Sequence, residues 1–396
     1  MQMSLENVIQ GYLSRRSLFK DRKPFNGYTP DEILHRDREI ETAASILSPA
    51  LKNQRPSNLF VYGKPGTGKT TVINRVAGEI QRLSENHNTT VKMAYLNCKL
   101  KNAADTEYRV IASLCKAFGR DVPATGLPTV KIYDAFFDAL EEAGGTTIIV
   151  LDEVDFLVAK IGDGFLYNLT RINDDLKKAR VSIIGISNNL SFTGALDPRV
   201  RSSLSEEELL FPPYNALQLR DILKTRASMA FNEDALEEGV IEKCAALAAQ
   251  EHGDARRALD LLRVAGEIAE REGAERVRIS HVDVAQGKLD EDRVLDAIRA
   301  QPRQSQTVLW TVMQNSDAST GNVYALYETA CKNNGLKPLT QRRVSDLISE
   351  LDVLGVVETR VVSKGRYGRT RIIQARIPPH LQAHVRDVLV KEFFFA

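Results

Sequence analysis

The sequence contains one glycine-rich stretch that indicates the class of fold, Gly63-Lys64-Pro65-Gly66-Thr67-Gly68-Lys69-Thr70. An apolar run, 59–62, precedes it, and a run compatible with a helix, 71–76, follows it. A strand, a glycine-rich loop and a helix in this order are the context in which a P-loop binds phosphates. The glycines let backbone N–H groups surround the phosphates, and the helix N-terminus adds a favourable partial charge. A glycine-rich turn that matches by accident is the alternative, and the flanking strand and helix disfavour it.

The P-loop assigns nucleotide contacts to specific residues. Lys69 is predicted to reach the terminal phosphates, and the hydroxyl of Thr70 is predicted to hold Mg²⁺. The predicted contacts with ATP or ADP run through the whole loop: Pro65, Gly66, Thr67, Gly68, Lys69, Thr70 and Thr71.

Two carboxylates follow a second apolar run. The run 147–151 ends in Asp152 and Glu153, and strand ends of this kind carry the sites of parallel sheets. Asp152 is predicted to bind the Mg²⁺ shell, and Glu153 to orient or deprotonate the attacking water. An ordinary acidic turn is the better interpretation of such a pair by itself, but the P-loop upstream favours the catalytic interpretation.

A neutral amide follows a third apolar run. The run 181–186 ends in Ser187-Asn188-Asn189. Asn188 at that edge is predicted to hold the lytic water or to touch the γ-phosphate. Two asparagines alone would indicate only a turn, so their order after the P-loop and the two carboxylates carries the prediction.

The chain also shows a division into domains. Short apolar runs alternate with longer amphipathic stretches from about 59 to 211, which predicts an α/β fold with a parallel sheet covered by helices. The strand-like runs are 59–62, 92–96, 147–151 and 181–186. The pattern becomes helical after Pro213 and changes again after Gly287. We predict an α/β nucleotide-binding domain with its N-terminal segment at 1–212, a helical lid at 213–289 and a DNA-binding domain at 290–396.

The last of these domains has a local basic face. Residues 332–376 hold ten Lys and Arg against four Asp and Glu, in a chain whose net charge is only +1. A helix capped by Thr340 and ended by Gly355 is predicted there. Its inward stripe is Val344, Leu347, Ile348 and Leu351. Two strand-like runs, 356–362 and 370–377, follow the helix, and a helix followed by a basic β-hairpin is typical of a winged helix.

The winged-helix pattern predicts contacts with duplex DNA. Arg342 and Arg343 of the helix are predicted to enter the major groove, where arginine can bind guanine through two hydrogen bonds. The hairpin residues Arg366, Tyr367 and Arg369 are predicted to reach phosphates or the minor groove. A basic hairpin that serves only solubility or protein contact is the alternative.

Composition excludes several other classes of protein. No apolar run is long enough to span a bilayer, and the N-terminus lacks the apolar core of a secretion signal. The 4 cysteines lie far apart, which disfavours a zinc site and a disulfide framework and indicates free thiols in a reducing cytosol. We therefore expect a cytoplasmic protein of several domains, associated with the nucleoid.

The motifs together resemble a known family. The ordered set that resembles AAA+ ATPases is Gly63 to Thr70, Asp152-Glu153, Ser187-Asn188 and Gly253-Asp254-Ala255-Arg256. The match is narrowed by Asp152-Glu153-Val154-Asp155, Ile184-Gly185-Ile186-Ser187-Asn188, Leu196-Asp197-Pro198-Arg199-Val200, Phe211-Pro212-Pro213-Tyr214 and Gly253 to Leu262. The chain is similar, from about Tyr12 to Ile377, to the archaeal origin recognition complex and cell-division-cycle initiators of chromosome replication.

This resemblance implies roles for further residues. It makes Asn188 sensor 1 and Arg256 sensor 2, so that the expected catalytic set is Lys69, Asp152, Glu153, Asn188 and Arg256. It also implies that Tyr214 and Arg226 line the nucleotide pocket and that Leu34 and Arg36 lie at the adenine. Family members use a helical insertion in the ATPase domain to touch DNA, which here falls within 98–128.

The resemblance further implies a weak ATPase that serves as a switch. The arginine finger that one copy would offer to a neighbouring copy would be Arg199 or Arg201. Related clamp loaders carry Ser-Arg-Cys in this stretch, and this chain departs from that pattern. A surface arginine without this role is the alternative. Such a finger stabilises the transition state and raises the rate of hydrolysis by on the order of a thousandfold. The chain alone is therefore expected to hydrolyse ATP slowly.

The implied function is that of an ATP-dependent initiator. It is expected to bind duplex DNA at replication origins, to promote loading of the replicative helicase and to associate with copies of itself on DNA, with ATP or ADP and Mg²⁺ as cofactors. A DNA-binding regulator of transcription that senses ATP, and an ATPase of the helicase-loader or clamp-loader type, are the alternatives.

Overall fold

The computed structural model describes residues 17–25, 30, 32–87, 89–99, 105–123, 126–204, 206–315, 317–363 and 369–394. The chain divides into two compact units, Met1–Val282 and Asp283–Ala396. The first unit contains the predicted α/β domain and residues 213–282 of the predicted helical lid. The domain boundaries after residues 212 and 289 stay predictions.

A parallel sheet forms the centre of the first unit. Its strands are β1 (Asn58–Gly63), β2 (Val91–Asn97), β3 (Gly145–Asp152), β4 (Ala179–Ser187) and β5 (Glu206–Phe211). The order across the sheet is β2-β3-β4-β1-β5, and every neighbouring pair is parallel. The four predicted strands are confirmed as β1 to β4. β5 was not predicted, because it begins with three glutamates at the sheet edge, of which two are exposed.

Seven helices of the described ranges accompany this sheet. They are α1 (Asp37–Leu47), α2 (Lys69–Asn86), α3 (Glu107–Ala117), α4 (Thr129–Ala143), α5 (Val154–Ile161), α6 (Gly164–Asp175) and α7 (Pro198–Leu204). The apolar core lies on both faces of the sheet, since Phe60 packs in one buried cluster and its neighbours Leu59 and Val61 pack in the other. This alternation is what a strand buried on both faces requires.

The strand register brings the functional ends together. Tyr62 pairs with Ser187 across β1 and β4, and Asp152 pairs with Ile186 across β3 and β4. Because the strands are parallel, their carboxyl ends meet at one edge of the sheet. The P-loop, the two carboxylates and Asn188 therefore all emerge at that edge.

The helical lid belongs to the same compact unit. Its helices are α8 (Ala216–Ala230), α9 (Val240–Gln250) and α10 (Ala255–Glu272), and the next helix, α11 (Ile279–Arg299), contains the division between the units. Asn215 begins α8 with a capping box in which its side chain and that of Gln218 exchange backbone hydrogen bonds. Asp254 caps α10 by accepting from the backbone N–H groups of Arg256 and Arg257.

The second unit has the predicted winged-helix order of elements. Its further helices are α12 (Arg303–Gln314), α13 (Thr320–Asn333), α14 (Gln341–Val353) and α15 (Gln382–Phe394). Its strands are β6 (Ala318–Ser319), β7 (Val357–Ser363) and β8 (Arg369–Ala375), arranged as an antiparallel sheet in the order β6-β8-β7. The predicted hairpin is confirmed as β7 and β8, whereas β6 is too short to give a periodic signal.

The helix predicted between Thr340 and Gly355 is confirmed as α14. Thr340 accepts a hydrogen bond from the backbone N–H of Arg343, as a capping residue should. The stripe predicted to face inward is buried: Val344, Leu347, Ile348 and Leu351. Gly355 follows the helix at φ +76°, a conformation that favours glycine.

All four cysteines of the chain lie in the described ranges. Cys98, Cys115, Cys244 and Cys331 are buried free thiols. Within the described ranges no cluster of His, Cys, Asp and Glu could hold a metal ion by itself. Among those same residues, no helix has the length and apolar character that crossing a membrane demands.

Candidate functional site

The P-loop forms the turn between β1 and α2 and needs its glycines. Gly66 has φ +69°, and a Cβ atom there would lie 1.6 Å from Oδ1 of Asp254. Gly68 begins α2 at φ +91°, and a Cβ atom there would lie 2.9 Å from the Tyr214 hydroxyl. Both glycines therefore allow the helical lid to approach the loop closely.

Lys69 is held at the edge of the sheet where the carboxyl ends of the strands meet. Its Nζ atom lies 2.8 Å from the carbonyl oxygen of Gly63, 2.8 Å from that of Lys64 and 2.9 Å from Oδ1 of Asn188. Burial, opposed by the nearby charge of Asp152, lowers the pKa of Lys69 to about 8. A buried ammonium with fixed acceptors is positioned to meet an anion.

Asp152 is orientated by hydroxyl groups from two other elements. Its Oδ2 atom accepts hydrogen bonds from the Thr70 hydroxyl at 3.0 Å and from the Tyr95 hydroxyl at 2.7 Å. Its Oδ1 atom accepts from the backbone N–H of Glu153 at 3.0 Å. Sequence reasoning missed Tyr95, because only the register of the sheet, in which Asn97 of β2 pairs with Asp152, brings this side chain to the carboxylate.

Glu153 occupies an unusual backbone position. It has φ +56°, in the left-handed region, where β3 turns into α5. Such a conformation costs energy in a residue with a side chain, and residues of this kind cluster at functional sites. Its carboxylate lies 3.5 Å from the ammonium of Lys99, which follows β2. Glu153 thus projects into the cleft beside an exposed cation.

The lid meets the P-loop at the start of α10. The backbone N–H of Ala255 donates to the carbonyl oxygen of Gly66 at 3.2 Å. Oδ1 of Asp254 accepts from the backbone N–H of Arg256 at 2.8 Å. This arrangement places Arg256 on the cleft wall and brings a second positive helix end to the phosphate loop.

Arg36 was expected to lie at the adenine, but its side chain lies away from the cleft wall. Its side chain is 2% exposed and is not among the residues that line the cleft. It donates to the carbonyl oxygens of Thr67 at 3.0 Å and Pro212 at 2.7 Å and stacks on the Tyr214 ring at 3.9 Å from the centroid. Glu39 pairs with it at 3.1 Å. Arg36 therefore braces the P-loop from behind, and an adenine contact by its side chain does not follow from this geometry.

The cleft at this edge has a volume of about 780 Å³. The predicted residues that the structure brings together on its wall are Leu34, Pro65, Gly66, Thr67, Gly68, Lys69, Thr70, Thr71, Asp152, Glu153, Asn188, Tyr214, Arg226 and Arg256. Sequence reasoning missed the apolar end of the wall, formed by Pro24, Phe25, Ile222, Met229 and Leu259 among others. Single apolar residues spread over the chain give no motif, so no local signal could have found them.

The two candidate finger arginines lie elsewhere. Arg199 and Arg201 are exposed on α7, and neither lines the cleft of its own chain. Arg199 has 88% of its side chain exposed and lies 3.7 Å from Asp197. A role toward a neighbouring copy stays a prediction.

The predicted DNA-binding residues are partly described. Arg342 and Arg343 are exposed in the first turn of α14. Arg343 pairs with Glu350 at 3.1 Å and with Asp346 at 3.9 Å. The predictions for Arg366 and Tyr367 lie outside the described residues, and Arg369 is described only as the first residue of β8.

A side-chain network joins the hairpin to α14. Arg371 of β8 donates to the Ser349 hydroxyl of α14 at 3.0 Å and to the Thr359 hydroxyl of β7 at 3.0 Å. Asp352 of α14 lies 3.6 Å from Arg371 and accepts from Thr359 at 2.5 Å. The network fixes the hairpin against the helix that carries Arg342 and Arg343.

The sequence matches models of three domain families. An AAA domain matches residues 52–191, the Cdc6 AAA+ ATPase-type lid domain matches 220–287, and the CDC6 C-terminal winged helix domain matches 296–382. These matches agree with a P-loop unit, a helical lid and a winged helix in that order.

Relatives cover almost the whole chain. It is 50% identical over 386 residues to the ORC1-type DNA replication protein of Thermococcus onnurineus, with 95% of this chain and 92% of the relative covered. It is likewise 50% identical over 398 residues to that of Pyrococcus furiosus, with 98% and 93% covered. A solved structure of the Aeropyrum pernix ORC1 protein in complex with DNA is similar with a TM-score of 0.83 and 45% identity, covering 95% of this chain and 97% of that one.

Proposed function

The chain belongs to the family of archaeal ORC1-type DNA replication proteins, and we propose that it is an ATP-dependent initiator that binds duplex DNA at replication origins. Its winged helix and its ATPase unit together bind the duplex, and the bound protein promotes loading of the replicative helicase. The observation that carries this function is the presence, in one chain, of a preformed P-loop cleft and a winged helix with exposed arginines.

The cleft fits a nucleoside triphosphate. Lys69 and the N-terminus of α2 would hold the terminal phosphates, while Arg256 would approach them from the lid. The apolar end of the wall, with Leu34, suits a purine base, since flat rings bind well between apolar side chains. Arg36 supports this site by bracing the loop at the carbonyl of Thr67.

The donor set at Asp152 also fits Mg²⁺. The Thr70 hydroxyl and the Asp152 carboxylate lie 3.0 Å apart, and oxygen donors of this kind are those that Mg²⁺ uses beside phosphates. A bound Mg²⁺ would neutralise charge on the phosphates. Tyr95, through its hydrogen bond to the same carboxylate, keeps that carboxylate turned toward Thr70.

Hydrolysis by this chain is slow. Glu153 can accept a proton from water, and Asn188, hydrogen-bonded to Lys69, can orient that water. Neither Arg199 nor Arg201 lines the cleft of its own chain, so the isolated protein lacks a finger from either of them. ATP therefore acts as a switch that persists until a neighbouring copy supplies the missing cation.

The winged helix supplies the sequence-reading surface. The N-terminal turn of α14 presents Arg342 and Arg343, and the network around Arg371 holds the hairpin beside that helix. Arginine in the major groove discriminates bases, whereas charges along the hairpin add affinity that depends on salt. The two kinds of contact together would select an origin sequence.

The proposed DNA binding is tested by titrating origin duplex against the full chain and its Arg342→Ala variant. A base contact predicts a loss of about 1 to 3 kcal/mol on the preferred site and less on unrelated duplex. Lys337→Ala serves as the matched control, since it removes the same charge from the loop before α14. Equal binding of origin and unrelated duplex by the unaltered chain would contradict the proposal.

A further inference from the structure

Residues 17–25 lie across the helical lid, and we call this segment the strap. The backbone N–H groups of Lys20 and Asp21 donate to the carbonyl oxygen of Ala230 at 2.8 and 3.1 Å. Asn232 donates from its backbone to Leu18 at 3.0 Å. These bonds, made to the end of α8, tie the strap to the lid by backbone contacts.

An aromatic cluster fastens the middle of the strap. The Phe19 ring stacks on Phe231 with 4.5 Å between centroids, and Phe25 meets both rings edge-on at 6.2 and 5.8 Å. Gly266 of α10 lies beneath, where a Cβ atom would be 2.5 Å from the Phe19 ring and 2.9 Å from the Phe231 ring. A glycine inside a helix is destabilising, so its presence here is explained by the close approach of these rings.

A buried carboxylate anchors the other side of the strap. Glu270 of α10 is 8% exposed, and its Oε1 atom accepts from the Ser17 hydroxyl at 2.6 Å and from the backbone N–H of Leu18 at 2.8 Å. Its Oε2 atom pairs with Arg22, whose guanidinium also lies over the Phe19 ring. A buried carboxylate is costly unless it is paired and hydrogen-bonded, and the strap supplies Glu270 with both kinds of partner.

The strap ends in the wall of the nucleotide cleft. Pro24 and Phe25, its last two residues, line the cleft together with the apolar Met229 of α8 and Leu259 of α10. The short helical turn Lys23–Phe25 packs against both of these helices. The strap therefore adds apolar side chains to the cleft wall, of the kind that suit a base, and no charged side chain.

We infer that Glu270 is a positioning residue for nucleotide binding, which holds the strap so that Pro24 and Phe25 close the base end of the cleft. Glu270 itself does not line the cleft, so it acts through the strap. This inference rests on the proposed binding of ATP. It assigns a role in nucleotide affinity to a glutamate that is far from the P-loop in sequence.

The test compares ATP with inorganic tripolyphosphate, which has the phosphates but no base, as ligands of the full chain in the presence of Mg²⁺. Glu270→Gln is expected to weaken ATP binding by about three- to tenfold, because a neutral amide replaces a charged hydrogen-bond partner. Tripolyphosphate binding should stay within about twofold of the unaltered protein, since the phosphate end is unchanged. A purely structural defect would weaken both ligands.

Phe25→Ala provides the second half of the test. If Glu270 acts through the strap, the double variant Glu270→Gln with Phe25→Ala loses less ATP affinity than the two single variants combined, because part of the Glu270 effect passes through Phe25. Gly266→Ala, which pushes against the Phe19 ring, should lower ATP affinity in the same selective way. Glu267→Gln is the matched control, because Glu267 pairs with Arg263 at 2.8 Å on the same helix.

Three outcomes overturn the inference: an unchanged ATP affinity in Glu270→Gln, equal losses for ATP and tripolyphosphate, or additive losses in the double variant. Failure of the proposed function is distinguishable, since in that case the unaltered protein would bind neither ATP nor tripolyphosphate.

Discussion

The nucleotide cleft and α14, the helix proposed to bind DNA, differ in how their charged side chains are held. In the cleft, Lys69 is 6% exposed and hydrogen-bonds to Gly63, Lys64 and Asn188. On α14, Arg343 has 52% of its side chain exposed and pairs with Glu350 of its own helix. Buried groups with fixed partners cost little to reorganise, whereas exposed pairs exchange with water and are screened by salt. Substitutions in the cleft should therefore act strongly and at any salt concentration, and those on α14 weakly and with salt.

The largest effect is expected from Lys69→Ala. Loss of the buried ammonium should weaken ATP binding by about 100-fold or more, because several charge-assisted hydrogen bonds to phosphate disappear together. Titration of ATP by calorimetry measures it. Lys64→Ala is the control, since the Lys64 side chain is exposed and only its carbonyl oxygen contacts Lys69. A loss below about threefold in Lys69→Ala would remove the distinction between the two regions.

Tyr95→Phe should act next most strongly, and on the metal instead of the nucleotide. The Mg²⁺ concentration that half-saturates ATP binding is expected to rise by about 10- to 100-fold, as when a ligand carboxylate loses its supporting hydrogen bond. ATP binding in excess chelator should not change. Tyr133→Phe removes a comparable hydroxyl, which donates to Glu107 at 2.5 Å away from the cleft, and should leave the Mg²⁺ requirement unaltered. The same shift in both variants would argue against a role of Tyr95 at Asp152.

Raising the pH should weaken ATP binding, by a factor similar to or smaller than the one expected for the Mg²⁺ requirement of Tyr95→Phe. The pKa of Lys69 is about 8 in the protein alone, so above that pH the neutral amine must take up a proton to meet the phosphates. Affinity should be nearly constant below pH 8 and about tenfold lower at pH 9 than at pH 7. Calorimetry in two buffers of different ionisation enthalpy would detect the proton uptake. A flat profile between pH 7 and pH 9 would show that the lysine keeps its proton when phosphates are absent.

The smallest effect is expected on α14, from Glu350→Gln. This change leaves Arg343 with only its longer contact to Asp346 and removes a negative charge, so duplex DNA should bind about two- to fivefold more tightly at low salt, with the gain lost at high salt. Glu328→Gln, on α13, removes the same charge without releasing Arg343. Anisotropy titrations at several salt concentrations compare the two. An equal gain in the two variants, or a gain that persists at high salt, would contradict the description of Arg343 and Glu350 as an exposed ion pair that salt screens.

The parts of the molecule that the sequence could predict are those that depend on local patterns. The P-loop, Asp152-Glu153 and Asn188 lie in short apolar runs followed by polar residues, and such local patterns are retained in the fold as β1, β3 and β4. The stripe of α14 is equally local, and its cap at Thr340 was predicted. These parts depend on neighbours within a few residues, which sequence periodicity records.

Long-range partnerships could not be predicted in this way. Glu270 appears as a solvated charge near the end of a helix, yet its partner Ser17 is 253 residues away. Arg36 appeared to be an adenine contact, but the carbonyl oxygens of Thr67 and Pro212 draw its side chain behind the P-loop. Tyr95 is an ordinary strand residue until the register with β3 places it at Asp152. Tertiary packing decided each of these positions.

Genome-wide crosslinking of the protein to DNA in its host, with Lys69→Ala beside the unaltered chain, shows whether ATP controls an origin-binding protein. A few sharp peaks at replication origins are expected, with occupancy that changes in Lys69→Ala although the winged helix is intact. Peaks spread over promoters, or origin peaks identical in the two proteins, would contradict this expectation.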